Sequence, residues 1–112
     1  MAKLITKEVE DRLKKYPLYS QDGVKDKKIL VKFFGGSSFS WVVVEAEQNG
    51  DDWDFFGWVD LGYGGEWGYF RFSDIKNLKF KPFNLGLERE INEHYENGYT
   101  INIEGEIKYN KK

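Results

Sequence analysis

One histidine is present in the whole chain, His94, and it lies four residues after Glu90. On a helix that spacing stacks the two side chains one turn apart, and on a strand an even spacing also places them on one face. An imidazole nitrogen and a carboxylate oxygen are an acceptable start for zinc, with Glu93, another acid or water to complete the shell. The plain alternative is a surface histidine among acids. Carboxylate pairs at i, i+2 also occur, Asp52 with Asp54 and Glu45 with Glu47, and on strands each pair would share a face fit for acid–base or metal chemistry. Surface acids are more often simply solvated.

Other reaction classes lack their parts. Ser37, Ser38 and Ser40 have only His94 to serve as base, and no G-x-S-x-G elbow surrounds them. The glycine runs Gly35-Gly36 and Gly62-Tyr63-Gly64-Gly65 match neither G-x-G-x-x-G nor a P-loop, so they read as turns. With no cysteine there is no disulfide, no thiolate nucleophile and no thiolate zinc site, which fits a reducing cytoplasm. The expectation is a protein that works by binding and is not an enzyme.

Charge is arranged in blocks. Residues 1–32 carry a net +4, residues 33–70 a net −7, and residues 71–112 a net +1, which together give the formal charge of −2. The middle block has no lysine or arginine at all; its acids are Glu45, Glu47, Asp51, Asp52, Asp54, Asp60 and Glu66. Phosphate contacts need basic side chains, so direct nucleic-acid binding on this block is not expected. A basic protein or a cation suits it better. Exposed tryptophans could stack bases or sugars, but a single-strand groove would need cations beside them.

The elements that must carry these residues follow from periodicity. Chain length, 112 residues with 40% apolar and 20 aromatic side chains, suits one domain spanning 1–112 with a core of its own. Thr6 reads as an N-cap, Ile5, Val9 and Leu13 form one stripe, and Pro17 ends a helix over 6–15. Residues 28–34, 39–47, 53–60 and 67–72 read as strands joined by short turns, with Asn49-Gly50 the strongest hairpin signal. Together they predict a four-stranded antiparallel meander over residues 28–72. Its third strand is aromatic on both faces, which predicts a central strand with a helix on one side and a further layer on the other. Ser73 reads as the N-cap of a short helical turn. Leu87, Ile91 and Tyr95 predict a helix over 87–96, although Leu87, Arg89, Ile91, Glu93 and Tyr95 also alternate as a strand would. Residues 99–109 read as one last strand. The fold class is α+β, with a C-terminal helix or strand segment. No apolar run reaches the roughly 18–20 residues of a membrane span, and the start of the chain lacks the pattern of a signal peptide, so a cytoplasmic protein is expected.

The segments LITKEVEDRL, VKFF, SWVVVEAE, DWDFFGWVDL, WGYF, FSDI and LGLERE, in this order, resemble a family of small domains of unknown function carried by phages, plasmids and conjugative elements. The resemblance spans about residues 4–92, with FFGWVD and GYF its most specific parts. Its ERD-like motif reads Glu88-Arg89-Glu90 here, with a further segment beyond it. Its setting among anti-defence genes implies a role against host immunity, in the specific form of an anti-CRISPR that binds a type II effector nuclease and blocks DNA loading. The residues expected to meet that partner are Glu47, Asp51, Asp52, Asp54, Tyr63 and Trp67. Alternatives are a metal-dependent hydrolase, or an inhibitor of another host defence or replication protein.

Overall fold

The computed structural model describes residues 4–36, 38–80, 85–86, 88–90 and 99–109. Helix α1, Lys7–Lys14, starts where Thr6 accepts a hydrogen bond from the Val9 N–H, and carries Glu8 and Glu10 in its first turn. Carboxylates there favour the positive end of the helix dipole. Ion pairs Lys7–Asp11 and Lys14–Glu10 lie on its exposed side. Val9 and Leu13, on the opposite stripe, are fully buried.

Strands β1 (Lys27–Lys28), β2 (Val31–Gly35), β3 (Phe39–Asn49), β4 (Asp52–Leu61) and β5 (Gly65–Arg71) come next. The four from β2 to β5 form the expected antiparallel meander. A short helix α2 (Phe72–Ile75) follows, then β6 (Lys79–Phe80), β7 (Leu85–Gly86), β8 (Glu88–Glu90), β9 (Tyr99–Ile101) and β10 (Ile107–Tyr109). The main sheet has the order β5-β4-β3-β2-β8, a smaller one the order β1-β9-β10, and β6 pairs with β7.

Three readings from sequence are corrected here. Residues 88–90 are a strand at the sheet edge and not part of a helix: their backbone pairs with the outer edge of β2, Lys32 opposite Glu90. Pairing with an open edge decides between two periodicities that the side chains satisfied equally. Residues 99–109 are a hairpin, not one strand, because Asn102 accepts from the Glu104 and Glu106 N–H groups and reverses the chain. The strand expected over 28–34 is split, its first residues leaving the main sheet to pair with β9.

The main sheet is covered on both faces, as the aromatics on both sides of β4 predict. On the first face Val31, Phe33, Trp41, Val43, Trp53 and Phe55 pack under Val9 and Leu13 of α1 and Ile75 of α2. Each such fully buried aliphatic or aromatic side chain contributes about 1.5–3 kcal/mol. On the second face Val42, Val44, Phe56, Trp58 and Trp67 meet Ile29, in the link from β1 to β2, and Ile101 of the smaller sheet. Two links fix that sheet: the Trp67 indole N–H donates to the Ile103 carbonyl at 2.8 Å, and Gly105 lies flat against the Trp58 ring.

A β-bulge in β3 sets the geometry. Val43 pairs with Gly57 and Glu45 with Phe56, so Val44 is the extra residue. A side chain on Gly57 would collide with the Val42 carbonyl, so the strands approach this closely only with glycine there. Backbone groups beside the bulge find partners outside the main-sheet ladder. The Val43 carbonyl accepts from the Leu30 N–H, the Val44 carbonyl from the Gln21 amide at 2.7 Å, and the Ala46 N–H donates to the Tyr16 carbonyl.

The bulge also turns Glu45 inward, to 2% exposure. Its two oxygens accept the Tyr19 and Gln21 N–H groups, each at 2.8 Å. Glu45→Gln replaces one acceptor by a donor facing an N–H, and should cost about 1–3 kcal/mol. The check is a lower urea midpoint at unchanged m-value; an unmoved midpoint would show that this carboxylate is dispensable. Gly105→Ala should cost a similar amount, about 1–3 kcal/mol, since φ is positive there and a methyl group meets the Trp58 ring. Its melting temperature reports the loss.

Candidate functional site

The residues expected to bind a partner fall into three places. Glu47 and Asp51 are exposed at the β3–β4 turn, with Asp52 and Asp54 beside them at the start of β4. Tyr63 is 98% exposed, in the β4–β5 turn at the opposite end of β4. Asp52 to Leu61 is a strand length of about 30 Å at some 3.3 Å per residue. Trp67 lies between, on the second face, held by its bond to Ile103.

Two of the four clustered acids are engaged within the fold. Asp52 accepts from the Trp53 N–H at 2.8 Å, the Ser73 N–H at 2.9 Å and the Ser73 hydroxyl at 2.6 Å. Ser73 is therefore not the N-cap expected from sequence. Arg71 occupies that position, and its N–H donates to Asp74 as in one half of a capping box. Asp54 takes the Arg71 guanidinium at 3.1 Å and the Asn49 amide at 3.4 Å. These bonds fasten β5 and α2 to the start of β4. Glu45 and Glu47 do not act as a pair, since the first is buried under the Tyr19–Gln21 turn and the second is exposed.

Glu90 sits on the edge strand β8, and His94 lies outside the described residues. Among the described residues no three His, Asp or Glu side chains come together as a metal site would need. No helix among them is long and apolar enough to cross a membrane.

A cleft of about 530 Å³ opens on the second face of the sheet. One wall is the loop from Tyr19 to Lys27; the floor is Phe56, Trp67 and Tyr69, with Glu45 behind and Ile103 at the end. Phe56 and Trp67 stack at 5.6 Å with 14° between ring planes, and Tyr69 leans on Phe56 at 4.8 Å. Tyr19 and Tyr69 form the rim and are 66% and 61% exposed. Partial desolvation against the floor raises the Tyr69 phenol above its ordinary value, helped by the neighbouring Tyr19 hydroxyl and by the negative charges of Glu45 and Asp22. The volume falls in the range of ordinary ligand sites.

Sequence reasoning found Trp67 but missed the rest of this cleft. Phe56, Trp67 and Tyr69 were legible as one face of two paired strands. Tyr19 was not: it has φ +73°, the left-handed region that a bulky residue rarely takes. Glu45 holds it there, and only a buried acid in the middle of an apolar strand hinted at such a partner.

Fold and site thus define a three-layer α+β domain with an aromatic recess. The chain belongs to the DUF2958 family of proteins of unknown function, whose model matches residues 4–103. The match runs past residue 92, where the resemblance read from sequence ended, and takes in β9 and its Ile103 contact to Trp67. Neither the comparison with curated proteins nor that with solved structures found a match.

The Asp52 bonds carry a pH signature. The Ser73 hydroxyl above all, with the Trp53 and Ser73 N–H groups and Lys76, lowers its carboxyl below the usual value, against some desolvation. The stability this adds is present above the unfolded carboxylate value near pH 4 and is lost as pH falls through the lower folded value. Asp52→Asn should flatten the acid limb of a plot of unfolding free energy against pH. An acid limb of the same steepness would show that Ser73 does not hold this carboxylate.

Proposed function

We propose that this protein acts by stoichiometric binding, as an anti-defence factor of a phage or other mobile element that engages a basic surface on a host protein. In its specific form it is an anti-CRISPR that binds a type II effector nuclease in the host cytoplasm and blocks its loading with DNA. The observation that carries this reading is the 38-residue stretch 33–70 with seven acids and no lysine or arginine, which spans β3, β4 and most of β5 and keeps all of those acids but Glu45 out of the core. Effector nucleases of that class hold their guide–target duplex in a positively charged channel. A surface of opposite sign speeds association with such a channel and penalises nucleic acid as a rival partner.

The contact residues follow from what each acid does in the fold. Glu47 and Asp51 are exposed at the tip of the β3–β4 hairpin, whereas Asp52 and Asp54 serve α2 and β5. Tyr63 is too far along β4 to share one small patch with that tip, and would meet a partner only across a broad interface. No observation favours a metal-dependent hydrolase.

Pull-down from the natural host should recover the effector, and the purified protein should block DNA cleavage only near a one-to-one ratio. Glu47→Gln with Asp51→Asn should weaken binding by about two- to fivefold per charge and reduce its salt dependence. If another defence or replication protein co-purifies instead, the target class changes while the surface stands. Undiminished cleavage with the protein in molar excess rejects the anti-CRISPR reading.

A further inference from the structure

We propose that the cleft between the Tyr19–Lys27 loop and the aromatic face of β4 and β5 takes the guanidinium of an arginine side chain of the partner protein. That the arginine comes from a protein rests on the binding reading above; the chemistry of the cleft does not.

The floor offers ring faces, and an aromatic face carries the negative end of the ring quadrupole. Phe56 and Trp67 stack on each other and Tyr69 leans on Phe56, so the ring face left open to a flat cation is that of the exposed Tyr69, with Tyr19 beside it at the rim. Arginine suits it better than lysine, because a planar, weakly hydrated guanidinium stacks where an ammonium stays hydrated. Two carboxylates add to the potential: those of Glu45 and Asp22 both act on the Tyr69 hydroxyl at the rim. Of the two lysines in the wall, Lys27 turns its ammonium into its own loop, onto the Gln21 and Val24 carbonyls at 2.6 and 2.9 Å. Lys25 remains as a cation at the wall, and its sign of effect distinguishes a cation site from an anion site.

Backbone strain points to the same place. Tyr19 is held at φ +73° by the buried Glu45 carboxylate, and that conformation sets its ring at the mouth of the cleft with Tyr69. Strain on an exposed tyrosine persists only where the surroundings over-determine it, and such residues cluster at binding sites.

The test titrates the full chain with N-acetyl-arginine amide and follows the four tryptophan indole N–H signals by NMR. The Trp67 signal should shift saturably, with a dissociation constant of about a millimolar. N-acetyl-citrulline amide, uncharged and of the same shape, should bind about tenfold more weakly. Lys25→Gln should tighten arginine binding and Tyr69→Leu should weaken it. Glu47→Gln with Asp51→Asn should leave it unchanged, so the cleft and the acidic hairpin tip can fail separately. Equal binding of citrulline, weaker arginine binding on Lys25→Gln, or no saturable shift each overturns the proposal.

Discussion

Everything on the second face depends on one extra residue in β3. By inserting Val44 between the pairs at Val43 and Glu45, the chain frees backbone groups in the middle of a sheet, where water cannot reach them. The solution is local. Gln21 donates its amide to the Val44 and Lys28 carbonyls and accepts the Lys28 N–H, in place of a missing strand. Glu45 accepts the N–H groups that present Gln21. Buried polar groups arranged so densely are safe only when every one is satisfied, and a single deletion strands several at once.

The same bulge divides the molecule into a structural half and an exposed half. On one side, α1 and α2 seal the first face with Val9, Leu13 and Ile75. On the other, the smaller sheet covers only part of the second face, leaving the aromatic floor of the cleft uncovered between Trp67 and the Tyr19 loop. The acids that looked alike in the sequence separate accordingly. Glu45 holds a loop, Asp52 and Asp54 fasten α2 and β5, and Glu47 and Asp51 face the outside.

Much of the fold was legible because its signals are local. The Thr6 cap, the Val9–Leu13 stripe, the Asn49-Gly50 turn and the two-faced apolar pattern of β4 each depend on neighbours in the chain. What the sequence hid is non-local. The run from Trp41 to Ala46 is buried throughout, so an inserted residue leaves no break in its alternation. Residues 88–90 fit helix and strand alike until the edge of β2 is there to receive them. Ser73 has the type of an N-cap, but a carboxylate twenty-one residues earlier claims it. The cleft was legible only as far as Phe56, Trp67 and Tyr69, since nothing near Tyr19 announces a left-handed tyrosine.

Pairing of β1 with β9 joins Lys27 to Ile101 across most of the chain. The meander turns close cheaply, whereas a loop of that span costs more entropy and closes late. During synthesis the sheet and its helix can assemble while the last residues are still inside the ribosome. The second face then waits, its tryptophans wet, until Ile103 and Gly105 emerge to meet Trp67 and Trp58. The recess is thus the last part of the protein to exist, and a chain cut short before that hairpin would present an open aromatic sheet to its neighbours, inviting association of the wrong kind.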